Sequence, residues 1–174
     1  MTQSQHWKDN VTLFQHALTI APGNEIANQC MGTALLLQGS PADAAPYYQK
    51  ALSIQPNMFE AAYSLGRSYY ELTMYPESEP YFLRAMRLDP RDPKPLLYFG
   101  LARMKEGDLK TAEAALRAAL KIRGPDDYRE YHLSLGEVLK AKGDRAGALA
   151  EFQAEAKENP DPSRALREIS ELGQ

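Results

Sequence analysis

Apolar side chains recur along the chain at steps of three and four residues, the spacing that puts them on one side of an α-helix. The first such stretch is "WKDNVTLFQHAL", where Trp7, Val11, Phe14 and Leu18 form a single stripe. Farther on the stripes come in pairs. "FEAAYSLGRSYYEL" carries Ala62, Leu65, Tyr69 and Leu72, "TMY" turns, and "PESEPYFLRAMRL" carries Ser78, Phe82, Ala85 and Leu88. Between stripes, "QGSPAD", "EGDLKT" and "KGDRAG" each supply a glycine to end one helix and Ser40, Asp108 or Asp144 to cap the next. Pro41 stands where a first-turn proline is tolerated. Each unit is therefore predicted to be two helices joined by a tight turn.

The pairs are periodic. Gly32, Gly66 and Gly100 lie 34 residues apart and Gly136 follows after 36; Pro22, Pro56 and Pro90 keep the same step. Pro125 arrives one residue late and Pro160 resumes the register after two inserted residues. A period of this length signals a solenoid, in which each unit buries its apolar face only by stacking on its neighbours. Small residues at fixed places predict close helix approach, with Gly32, Gly66, Gly100 and Gly136 facing Ala44, Ser78, Ala112 and Ala148.

The phased series resembles the tetratricopeptide repeat, a helix-turn-helix unit with apolar, small and proline residues at fixed positions. Met31, Gly32, Leu35, Ala44, Tyr48, Ala51 and Pro56 carry the match in the unit at 25–58. The same places recur in 59–92, in 93–128 with two inserted residues, and in 129–162. Phe14, Ala17 and Pro22 match the second half of a preceding unit within 1–24, and Leu166, Ile169 and Ser170 match the start of a following one, a capping helix in 163–174. The resemblance implies one all-α domain. It is an α-solenoid of antiparallel helix pairs, about ten helices in a right-handed superhelix, with a concave face made mainly by the first helix of each pair.

By the same resemblance the function is that of a noncatalytic scaffold holding a protein or peptide ligand in the concave groove. The groove positions include Ile26, Gln29, Thr33, Leu36 and Leu37 in the first unit and Glu60, Tyr63, Arg67, Tyr70 and Glu71 in the second. Lys94, Leu97, Tyr98, Leu101, Met104 and Lys105 follow in the third, and Glu130, Leu133, Glu137 and Lys140 in the fourth. The tyrosines either offer rigid contact area or pack between helices, while Arg67 and Lys94 are placed to hold a carboxylate or carbonyl of the ligand. Chaperone-cofactor members grip a C-terminal carboxylate with Lys, Asn, Asn, Lys and Arg. The corresponding places here are Gln29, Thr33, Ser64, Lys94 and Tyr98, so only Lys94 agrees and a clamp of that kind is not expected.

Several residues depart from the repeat pattern. Arg103 replaces a buried Tyr or Leu and is expected to bury its stem while its guanidinium reaches solvent or Glu106. Glu155 replaces a small residue and reads as relaxed packing at the end of the array. Asn28 and His132 replace bulky residues and are expected to weaken packing locally. Pro46 and Pro80 fall within second helices and are expected to face outward.

The leading segment, with "ANQCMGTALLLQG" after it, also looks like the repeat regions that follow the membrane domain of bacterial glycosyltransferases of the protein O-mannosyltransferase type. That resemblance implies an alternative, a substrate-recognition repeat domain of a larger membrane-bound enzyme. Trp7, Val11 and Phe14 form a candidate self-association face on the first helix. Further repeats in a longer parent, a homodimer through the N-terminal helix, or a segment folding back would each cover it.

Composition narrows the function class. The 174 residues are 44% hydrophobic and 25% charged with a net charge of -3, which argues against a phosphate-backbone ligand. One cysteine, Cys30, excludes an intramolecular disulfide and any multi-cysteine metal site. No apolar run is long enough to span a membrane or form a signal peptide, so a soluble protein is expected. The cytoplasm is the default compartment, and a periplasmic or other extracytoplasmic one follows if the chain derives from a membrane parent. His6, His16 and His132 show no metal-binding spacing, and no P-loop, G-x-G-x-x-G or G-x-S-x-G occurs. Glu151, Glu155 and Glu158 read as a solvated helix face. No enzyme activity and no cofactor are expected.

Overall fold

The computed structural model of the protein describes the backbone of residues 3–124, 127 and 130–173, and their side chains from Asn10 onward. Among these residues there are ten helices and no strand. They are α1 (Gln3–Ile20), α2 (Glu25–Leu37), α3 (Pro41–Ile54), α4 (Phe59–Glu71), α5 (Tyr75–Leu88), α6 (Lys94–Lys105), α7 (Leu109–Ile122), α8 (Tyr131–Ala141), α9 (Arg145–Glu158) and α10 (Ser163–Leu172). The chain forms two compact units, Met1–Pro90 and Arg91–Gln174. The first holds α1 to α5 and the second α6 to α10.

In both units the pairs α2/α3, α4/α5, α6/α7 and α8/α9 pack in the same way, and the periodic glycines explain how. A Cβ on Gly32 would come within 2.9 Å of the Tyr48 ring, on Gly66 within 2.7 Å of Phe82, on Gly100 within 2.9 Å of Leu116, and on Gly136 within 2.4 Å of Phe152. The glycines thus make room mainly for a large side chain sixteen positions on. This corrects the expectation that they face the small residues alone: Ala44, Ser78, Ala112 and Ala148 are fully buried, but the rings and Leu116 fill the space. A ring lying flat on helix backbone gains contact along its whole face, and any added atom there is overpacking.

The turns inside the four pairs share one closure. Ser40, Met74, Asp108 and Asp144 donate their amides back to Leu35, Tyr69, Arg103 and Leu139, and the residue before each has positive φ. Three of these are Gly39, Gly107 and Gly143; the fourth is Thr73, at φ 59°. A β-branched residue in the left-handed region is strained where glycine is not. Asp108 and Asp144 cap the next helices through Thr111 N–H and Gly147 N–H at 3.1 and 2.8 Å. Ser40 holds the cap position of α3 without a side-chain cap bond, contrary to its expected role, and Pro41 begins the helix. Pro46 and Pro80 sit exposed at the sixth residue of α3 and α5, where each removes one backbone hydrogen bond of the second turn.

Candidate recognition surface

In the first unit each first helix leaves one stripe open. On α2 the exposed residues Ile26, Thr33 and Leu37 fall at i, i+7 and i+11, hence on one side, and α4 presents Glu60, Arg67 and Glu71 in the same register beside it. Ile26 and Leu37 are 54% and 53% exposed, unusual for large apolar side chains in a packed helix array. Thr33 donates to Gln29 O at 3.0 Å and accepts from the Tyr48 hydroxyl at 3.2 Å. Beside Gln29 and Thr33, an open pocket of about 270 Å³ lies between α1 and α2, lined also by Asn10, Phe14, Cys30 and Ala34.

The remaining groove residues of the first unit are more enclosed. Leu36 is buried, and Tyr63, 7% exposed, stacks on Phe59 with ring centroids 6.2 Å apart. Tyr70 is half-buried and tilts against Tyr75 at 5.5 Å. Arg67 pairs with Glu71 at 2.6 Å, one helical turn on. These groups are engaged with neighbours within the surface.

In the second unit Lys94 pairs with Asp92 at 2.9 Å, and the same carboxylate accepts from Lys94 N–H. Leu97 belongs to the core with Leu116, Leu135 and Phe152; Leu101 and Met104 lean on that core half-buried, and Tyr98 is half-buried. The charges of α8 are tied to α10. Arg164 bridges Glu130 and Glu137, and Lys140 reaches Glu168 at 2.7 Å and Glu171 at 3.1 Å. Burial pushes the Glu137 carboxyl above its ordinary value despite the pull of Arg164. Of the candidate self-association residues, Val11 and Phe14 are half-buried, and the side chain of Trp7 lies outside the described residues. Among the described residues of α1, Leu13 and Ile20 are exposed large apolar groups, at 60% and 73%.

The departures from the repeat pattern have specific partners. Arg103 meets Glu106 at 3.1 Å and lies over the Phe99 ring at 5.2 Å. Asn28 is buried and donates to Asn24 O and Pro22 O, fastening the turn before α2. Glu155, 4% exposed, accepts from Leu133 N–H at 3.1 Å and from Asn159 Nδ2 at 2.6 Å. Leu133 is the third residue of α8, so Glu155 on α9 satisfies one of the donors a helix start leaves open. Relaxed packing is therefore the wrong account of Glu155. Nor do Glu151 and Glu158 lie on a merely solvated face. His132 Nδ1 is 2.6 Å from Glu151, and Arg123 reaches both His132 Nε2 and Glu158. The His132 ring therefore lies between the Glu151 carboxylate on one side and the Arg123 guanidinium on the other.

Among the described residues no group of His, Cys, Asp or Glu is arranged to hold a metal ion, and no helix is long and apolar enough to cross a membrane.

Comparison with known proteins agrees with this architecture. Curated relatives include the human protein O-mannosyl-transferase TMTC3, 28% identical over 148 residues, and its Drosophila melanogaster counterpart at 24%. The alignment covers 76% of this chain and 16% of either relative, so the chain spans about a sixth of their length. Among solved structures, a thermophilic tetratricopeptide protein of Thermus thermophilus superposes with a TM-score of 0.75 at 23% identity, covering 97% of this chain and 91% of that one. PilF of Pseudomonas aeruginosa gives 0.82 at 18%, covering 98% and 77%. YrrB, described as a tetratricopeptide protein with an unusual peptide-binding site, gives 0.73 at 23%, covering 91% and 81%. The tetratricopeptide repeat family profile matches residues 31–93 and 97–162, most of the chain, and with the paired helices and glycine-to-ring packing it establishes that the protein belongs to the tetratricopeptide repeat family.

Proposed function

We propose that the protein is a noncatalytic scaffold that holds a peptide or protein segment against the open stripes of its first helices. The observation that carries this reading is the exposure of Ile26 and Leu37 on α2, beside the pocket formed by Phe14, Gln29, Cys30 and Thr33. Isolated exposed apolar residues need no explanation, but two on one stripe next to a concavity offer the desolvated anchor point a ligand requires. Thr33 and Gln29 supply polar groups at the edge, and Tyr70, half-buried on α4, adds contact area at small entropic loss. Tyr63, Leu36 and Leu97 support the surface from beneath rather than touching the ligand.

The test pairs binding with stability. An Ile26→Glu and Leu37→Glu double variant should lose retention of the partner recovered from its own organism's lysate, with thermal unfolding close to that of the unmodified protein. Retained binding would remove the α2–α4 stripe from the interface.

A second reading is favoured by the alignment with the O-mannosyl-transferases: the repeats would serve a larger membrane-bound enzyme by recognising its protein substrate. Immunoblotting the native protein separates the two. A species several times heavier than 19.5 kDa, extracted only with detergent, supports the larger enzyme, whereas a soluble 19.5 kDa species excludes it.

A further inference from the structure

A second concavity, of about 260 Å³, opens where α3, α4 and α5 meet. Its α4 wall is Leu65, which sits roughly 120–160° around the helix from Glu60, Arg67 and Glu71 at 3.6 residues per turn, away from the open stripe. Leu65 and Leu52 are buried and make an apolar floor, with Gln49, Ser53, Tyr81 and Arg84 standing around it. A few polar groups over an apolar floor is the usual make-up of a ligand site.

Those polar groups have bonding capacity left. Arg84 donates through Nη2 to Pro56 O at 2.6 Å and meets no carboxylate among the described residues. The Tyr81 ring stacks on Tyr69 at 5.6 Å, while its hydroxyl has no hydrogen-bond partner among the described residues. Burial and the neighbouring Tyr69 raise the Tyr81 phenol above its ordinary value near 10, against the pull of Arg84, so the hydroxyl is a donor at neutral pH. Gln49 donates its amide hydrogen to the Tyr69 hydroxyl at 2.7 Å and keeps its carbonyl oxygen as an acceptor.

The second unit shows which chemistry suits the place. Glu151 stands just before Phe152 as Tyr81 stands just before Phe82, and Arg117 just after Leu116 as Gln49 just after Tyr48. There Glu151 lies 3.9 Å from Arg117 and 2.6 Å from His132, so the chain fills the position with its own carboxylate. In the first unit the cation is Arg84 and the chain brings no carboxylate to it among the described residues.

We propose that the cleft between α3, α4 and α5 is a second recognition site, which takes an acidic segment of a partner protein: an apolar side chain rests on Leu52 and Leu65, and a neighbouring Asp or Glu carboxylate is held by Arg84 and the Tyr81 hydroxyl. The Gln49 carbonyl accepts an N–H of the segment. Guanidinium and carboxylate form one of the stronger classes of hydrogen bond. The volume is larger than the roughly 150 Å³ that admits a benzene ring, enough for one large side chain. The site is separate from the first-helix stripe and does not depend on it.

NMR titration of the isotope-labelled 174-residue chain tests this, using a short capped peptide that places leucine beside glutamate and its counterpart with glutamine. The glutamate peptide should give saturable shifts at the Ser53, Leu65 and Tyr81 amides and bind more weakly at higher salt. The glutamine peptide should bind about tenfold more weakly, the loss of one charge-assisted contact. Arg84→Gln should abolish the preference for glutamate, and Tyr81→Phe, which keeps the ring, should reduce it. Gln49→Arg with Tyr81→Glu builds the second unit's pair into the cleft and should exclude the peptide, while Ile26→Glu with Leu37→Glu should leave the titration unchanged. The absence of saturable shifts at millimolar peptide would overturn the proposal. So would equal affinity for the two peptides, shifts confined to α2, or full affinity in Arg84→Gln.

Discussion

Replacing Glu155 with alanine puts the repeat's usual small residue back at a position where the equivalent residues Ala51, Ala85 and Ala119 are fully buried. If Glu155 were a tolerated misfit, the change would stabilise the protein. The structure gives the opposite sign. Glu155 Oε2 accepts the Leu133 amide at 3.1 Å, and Leu133 is 1% exposed, so water cannot readily take over as acceptor. A hydrogen bond to a charged group contributes about 1.5–3 kcal/mol, and a buried donor left unsatisfied loses a similar amount. Against this stand a helix-propensity gain of a few tenths, about 0.2–0.4 kcal/mol, and relief from burying a carboxylate. The net is a loss of about 1–2 kcal/mol, or roughly 5–30-fold in the local folding equilibrium. Hydrogen exchange of the amides of α8 and α9 reads the second unit directly, whereas whole-chain unfolding mixes both units. The Leu133 amide should lose protection most. Glu155→Gln keeps an acceptor oxygen and should lose only part of the effect. Equal or greater protection at Leu133 in Glu155→Ala would refute the capping account.

Four further outcomes follow from the same geometry. Thr73→Gly should stabilise the first unit by about 0.5–1 kcal/mol, because left-handed strain of roughly 1–2 kcal/mol is relieved at some entropic loss; urea unfolding measures it, and Gly39→Thr should move the other way. Gly136→Ala should destabilise the second unit by about 1–2 kcal/mol despite better helix propensity, since the new Cβ would lie 2.4 Å from the fully buried Phe152 ring; the combination with Phe152→Leu should recover part of that loss. Hydrogen bonds from Lys142 and Arg117 hold the Glu113 carboxyl below its ordinary value near 4.5, so its contribution is present above that pH and lost as pH falls through the lower folded value. For Glu137 the sign reverses: its raised folded value means a contribution complete below about pH 4.5 and lost as pH rises through the folded value, so Glu137→Gln should gain stability relative to wild type at pH 7 but not at pH 4. Urea midpoints of Glu113→Gln and Glu137→Gln at the two pH values check both.

The repeat was legible because it is written in residue size. Gly32, Gly66, Gly100 and Gly136 announce the period, and helix pairing follows from it. The sequence pointed to close approach at those glycines but not to its partner, since the facing ring lies sixteen residues away on another helix and a small neighbour satisfies the same reasoning. Glu155 was misread for a related cause: its partner is a backbone amide 22 residues earlier, and no side-chain pattern marks a backbone donor. The surface was legible in register but not in burial. Tyr63 shares the groove side of α4 with Arg67, yet stacking on Phe59 turns it inward, and Arg67 and Lys94 find carboxylates on their own segments. Thr73 gave no signal because a threonine in a turn is unremarkable until its φ is known.

The account rests on ligand recognition by the open stripes of the first helices, and site-specific photo-crosslinking reads that most directly. A photoreactive phenylalanine analogue placed at Ile26 or Leu37 on α2 should crosslink the bound partner in high yield, while the same group at the exposed Pro46 of α3 or Pro80 of α5 should not. Strong crosslinks from Pro46 or Pro80, with none from Ile26 and Leu37, would contradict it.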